Sequence, residues 1–103
     1  MSVTWAYLFL HGGTDSVADR TVIDREGQRT MLVPVADPAL APGIAADLVR
    51  EGATLVELCG GFSLEAAASV RAAVPAEAAV GHMVFTSDSV RAATAFGDAA
   101  RAG

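Results

Sequence analysis

Two β-rich apolar runs flank a segment whose apolar residues recur at every fourth position, and this pattern limits the possible folds more than any other feature of the chain. Met31 to Val35 precedes the segment and Thr54 to Cys59 follows it. Between them Leu40, Ile44 and Leu48 fall on one helix face, with Ala41 and Ala45 beside them. A strand, a helix and a second strand in that order form a crossover, which sets the two strands parallel. The pattern then recurs. Thr54 to Cys59 and Ala78 to Phe85 flank a segment in which Ala67, Val70 and Val74 make a smaller apolar face. Two successive β-α-β units, Met31 to Cys59 and Thr54 to Phe85, predict an α/β fold on a mixed or mostly parallel sheet.

Local signals place the remaining elements. Val3 to Leu10 is rich in β-formers and too short for an average helix, so it reads as a buried strand ending in the turn His11-Gly12-Gly13-Thr14-Asp15. Thr21 to Asp24, a turn over Arg25 to Gln28 and a return over Arg29 to Val35 read as a hairpin or as one long bulged strand. Asp37-Pro38 starts the first helix, because aspartate caps free amides and proline loses no hydrogen bond at the first helical position. Glu51-Gly52-Ala53 ends it. Ser63 caps a second helix with Glu65 in its first turn, and Pro75 stops it. Ser87 caps a last helix with the face Val90, Ala93 and Phe96, followed by Gly97 and a frayed tail. The order is β-β-β-α-β-α-β-α, expected as ferredoxin-like or flavodoxin-like packing in two or three layers. Residues 1–103 are expected to form one domain.

Composition narrows the function. The formal charge is -5, from 12 acidic and 7 basic residues, which argues against a nucleic-acid partner. Every basic residue is an arginine, so Schiff-base chemistry and a Walker-type phosphate loop are excluded. Arg20, Arg25 and Arg29, at the hairpin, read as solvated charges. No run approaches the length of a membrane span. Ser2 follows the first methionine with no basic leader, and the lone Cys59 cannot close an internal disulfide; the expected location is the cytoplasm. Much of the apolar content is alanine, which buries little area, so extra burial through a homo-oligomer is expected.

Chemistry-bearing residues gather near the strand ends. In a parallel sheet, ligands meet the carboxyl ends of strands. His11, the Cys59-Gly60-Gly61 turn and the Thr86-Ser87-Asp88 turn are expected to leave such ends, provided that the first strand is also parallel. Gly60, Gly61 and Ser63 are candidates for holding a phosphate or carboxylate at a helix start, with His11 and Ser87 as further ligand contacts; the glycines equally suit a plain tight turn. Glu57, His82 and Cys59 are the candidate catalytic residues. A Glu57–His82 pair has the composition of a base and its orienter. Glu57 and Cys59, two apart on a strand, point to the same side. A structural pair, an interface contact or simple exposure accounts for Glu57 as well, and an inert core position accounts for Cys59. His11, Glu57, Cys59 and His82 have metal-donor chemistry but no short-spaced ligand pair, so neither metal nor cofactor is expected.

The runs Tyr7-Leu8-Phe9-Leu10-His11, Asp19-Arg20-Thr21-Val22-Ile23 and Leu55-Val56-Glu57-Leu58-Cys59-Gly60-Gly61-Phe62 resemble a bacterial family of proteins of about a hundred residues, classed as a domain of unknown function. The likeness covers most of the chain to about Phe85, with the run from Glu57 to Phe62 its most specific part. It implies a compact α/β fold and carries no activity, cofactor or catalytic residue. Two functions follow from the residues: binding of a small anionic metabolite at the turn 59–63, or a non-enzymatic oligomeric protein with a structural or regulatory role.

Overall fold

The computed structural model describes residues 2–102. In chain order the elements are β1 (Val3–Leu10), β2 (Thr21–Arg25), β3 (Gln28–Val35), α1 (Ala41–Arg50), β4 (Leu55–Leu58), α2 (Leu64–Ala73), β5 (Ala79–His82) and α3 (Val90–Ala102). They build one sheet in the order β2-β3-β1-β4-β5. β1 pairs parallel with both β3 and β4, and β4 pairs parallel with β5. Only β2 runs antiparallel, against β3. The hairpin alternative therefore holds for residues 21–35. Its turn is Glu26-Gly27, both at positive φ (57° and 76°), the two-residue geometry whose twist matches the flanking strands.

Both helical crossovers step the same way along the sheet, from β3 past β1 to β4, and from β4 to β5. Connections of one handedness that step the same way lie on the same face, and α1 and α2 pack against each other there. The core fills the space between. Ala6 and Leu8 of β1 sit level with Met31 and Val33 of β3 and with Val56 and Leu58 of β4. All six are fully buried, together with Ala41, Ala45 and Leu48 of α1 and Val70 of α2. The packing is thus two-layered: a sheet with helices on one face.

Several boundaries differ from the sequence reading. Asp37 does cap, its Oδ1 accepting from the Ala39 amide at 2.9 Å, but what it caps is a 3-10 turn over Pro38–Leu40; α1 starts after it. β5 stops at His82 instead of reaching Phe85, because its neighbour β4 ends at Leu58. The Met83 amide makes the last rung, donating to the Leu58 carbonyl at 2.9 Å. Ser87 is not the cap of the last helix: it is the first residue of a 3-10 turn over Ser87–Ser89 whose cap position is Thr86, and α3 then runs through Gly97 to Ala102. Arg20 is not a solvated charge. Its side chain is only 14% exposed, and its guanidinium donates to the Ser16 carbonyl at 2.9 Å and meets Glu51 at 3.1 Å, tying the long β1–β2 loop to the end of α1. No described helix is long and apolar enough to cross a membrane.

Candidate functional site

β1, β4 and β5 run parallel, so His11, the turn 59–63 and the turn 86–88 leave the sheet along one edge, as the sequence suggested. Their surroundings differ. His11 is exposed, with Nδ1 3.2 Å from the Gly12 carbonyl. Thr14 Oγ1 donates to the His11 carbonyl at 2.6 Å and folds the loop back. Farther on, the Asp15 carboxylate accepts from the amides of Val17 and Ala18, each at 2.8 Å. Those bonds favour its charged form and hold its pKa below the usual carboxylate range. Phe9, His11, Thr14, Asp19 and Pro34 border an open depression of about 430 Å³.

The turn after β4 is filled by the protein's own side chains. A Cβ on Gly60 would lie 2.6 Å from the Phe85 ring and 3.3 Å from the Met83 methyl. At Gly61 the nearest atom would be the Leu10 side chain, at 3.2 Å. Gly60 thus gives room to the half-exposed Phe85 ring that lies against it. Ser63 Oγ accepts from the Ala66 amide at 3.1 Å and caps α2, whose first turn carries Glu65. His82 Nε2 lies 2.8 Å from the Phe62 carbonyl and fastens β5 to the same turn. Ser87 is exposed, and beside it Thr86 Oγ1 donates to Asp88 Oδ1 at 2.6 Å.

Glu57 and His82 are not brought together. Glu57 is level with Gly81 and Leu58 with His82, so Glu57 and His82 point to opposite faces of the sheet. The alternation along each strand decides this. His82 lies on the helix-covered face. Glu57 lies on the other, half-buried, where a Cβ on Gly81 would touch its side chain at 3.3 Å. Cys59 follows the last residue of β4 and packs, half-buried, against the core, whereas Tyr7 of β1 is level with Glu57. Burial raises the Tyr7 pKa, and the nearby charges of Cys59 and Glu57 raise it further. No group of three metal-donor side chains occurs among the described residues.

The feature that the sequence reading missed is the face on which Glu57 stands. Trp5, Tyr7 and Phe9 alternate with the buried Ala6 and Leu8, and the rings of Tyr7 and Phe9 stack with centroids 6.5 Å apart. Neighbouring strands add Ile23, Leu32 and Leu55 to the same side. Neither α1 nor α2 covers this side. The signal was present in β1: aromatic residues at positions 5, 7 and 9 and smaller aliphatic ones at 6, 8 and 10 mark a strand with two different apolar faces. The Trp5 indole N–H on this face is enclosed and makes no hydrogen bond among the described residues.

No curated protein and no solved structure matches the chain. A family model does, over residues 3–98, a span that contains all five strands, the turn 59–63 and the uncovered aromatic face. The chain therefore belongs to the family of unknown function DUF6506, in agreement with the resemblance read from its sequence.

Proposed function

We propose that the protein acts as a self-associating interaction domain that works through the uncovered face of its sheet. The observation that carries this reading is the composition of that face. Trp5, Tyr7, Phe9, Leu32 and Leu55 form a contiguous apolar strip, and the strands beneath it have a helical layer on one side only. Apolar patches of several hundred Å² on a small domain mark sites of association. Glu57 suits an interface role better than catalysis, since no ion pair engages it among the described residues and His82 lies across the sheet from it. The test is sedimentation equilibrium of the wild type and of Leu32→Glu, which sets a charge in the middle of the face. A wild-type oligomer that dissociates in the variant, with the melting curve of the dilute protein kept, supports the reading. A wild type that stays monomeric at high concentration removes it.

A second reading, binding of a small anionic metabolite, draws on the convergence of three strand ends and on the depression beside His11. It is the weaker one at the turn 59–63, where Ser63 Oγ is engaged in capping and Phe85 lies over Gly60. A backbone-amide NMR titration with phosphorylated and carboxylated metabolites separates the two. Shifts concentrated at His11, Gly60, Gly61 and Ser63 favour the ligand, and silence there removes it.

A further inference from the structure

α3 is the second unpartnered apolar surface of this chain. Its thirteen residues pack on little beyond the 3-10 turn that leads into them, and none is buried. Yet it is amphipathic: Val90, Ala93, Phe96, Gly97 and Ala100 share one side at helical spacing. Phe96 is 77% exposed. A helix this short gains most of its stability from packing an apolar face, so an isolated α3 would be marginal in water.

We infer that α3 of one copy lies across the uncovered sheet face of a second copy, in a reciprocal exchange. The inference rests on the interaction reading above and names its partner and contact. Three observations favour a second copy over the chain's own sheet. The segment leading to α3 is pinned at the strand-end edge, by the Met83 amide on the Leu58 carbonyl and by Phe85 and Met83 against Gly60. From there α3 makes little contact with its own sheet, and the molecule measures 42 × 27 × 26 Å. Area is the second. Five strands at ~4.8 Å spacing span ~19 Å, so the sheet face offers on the order of 400 Å², about half of what each partner buries in a specific dimer. α3 is ~20 Å long. It matches the width of the sheet, and its apolar side adds roughly 200 Å² per copy if it is ~10 Å wide. Charge is the third. Glu57 on the sheet face and Arg91 in the first turn of α3 are both outside the ion pairs of the described residues, and a second copy brings opposite charges to the same interface.

The test uses the full chain with Val90→Asp and Phe96→Asp combined. α3 contributes nothing to the core, so the variant is expected to keep the wild-type melting curve when both are dilute. Its dimer dissociation constant in sedimentation equilibrium is expected to rise at least about a hundredfold. Isotope-filtered NOEs in a mixture of labelled and unlabelled wild-type protein supply the contact itself: the Phe96 ring of one copy should reach Tyr7 or Leu32 of another. If the double variant still dimerises while Leu32→Glu does not, α3 is not the partner and the interaction reading survives alone. Intermolecular NOEs joining Phe96 only to α3 of the other copy, or intramolecular ones to its own sheet, overturn the exchange. A monomeric wild type overturns both.

Discussion

The two faces of the sheet are made by the same strands and differ in almost every other respect. On one, Ala6, Leu8, Met31, Val33, Val56 and Leu58 are fully buried beneath α1 and α2. On the other, Trp5, Tyr7, Phe9 and Leu32 are only partly buried, although those of β1 are large and aromatic. Size and hydrophobicity do not decide which residues a small α/β chain buries. The decision belongs to the connections: both helical crossovers step in one direction, and both helices therefore land on one side. The larger, aromatic apolar surface is left without a helix above it. Aliphatic residues fill the helix side, beneath α1 and α2, and the rings of β1 stand on the side that neither helix covers.

The sharpest way to break this comparison is to truncate neighbouring residues of β1. Leu8→Ala should cost ~3 kcal/mol in urea denaturation, as expected for a methylene-rich side chain removed from a closed core. Tyr7→Ala, one position away, should cost the dilute monomer less, about 1–2 kcal/mol, since its ring is only partly buried and no helix closes over it. Equal costs would mean that the two faces are equally packed. Gly60→Ala probes the strand-end turn. A methyl placed 2.6 Å from Phe85 must displace the ring, for ~2 kcal/mol and a changed aromatic NMR environment; an unchanged stability would return Gly60 to the role of a plain turn residue. Ser63→Ala removes the cap of α2 on the covered side and should lower stability by ~1 kcal/mol.

The smallest effect is electrostatic. Tyr7 is the chain's single tyrosine, so its titration is readable without assignment. The folded state raises its pKa, chiefly by burial and then through Cys59 and Glu57. The folded protein thus holds this proton where the unfolded chain, titrating at about pH 10, has begun to lose it. The associated stability is full below that pH and is lost as pH rises from there through the folded value. A phenolate absorbance midpoint above the unfolded one is expected. It should move higher still at concentrations where the sheet face is covered, and a midpoint independent of concentration would count against coverage of Tyr7.

Much of the architecture was legible in the residues. The spacing of Leu40, Ile44 and Leu48, the Ser63 cap and the β-rich runs around them placed both crossovers, because helix periodicity and capping are local properties. The hairpin was readable as one of two options, and Glu26-Gly27 settled it through backbone angles that a sequence does not display. The site was legible in part. The crossovers make β3, β4 and β5 parallel, so the turns after β4 and β5 leave one edge as read; that His11 joins them depends on β1 being parallel too, which its pairing with β3 and β4 decides. The proposed Glu57–His82 pair was not, because it turned on register: β4 and β5 are aligned so that Glu57 meets Gly81, and a shift by a single residue would have put the two side chains on one face.

By itself, then, the chain's sequence determined the succession of strands and helices, the Ser63 cap of α2 and the class of fold, all of which depend on neighbours a few residues apart. Only the tertiary structure decided which side of the sheet received α1 and α2, which atoms lay against Gly60, and that Trp5, Tyr7, Phe9 and Glu57 remained without a helix above them. These are relations between segments distant in sequence, set by crossover direction and strand register, and no local pattern of residues encodes either one.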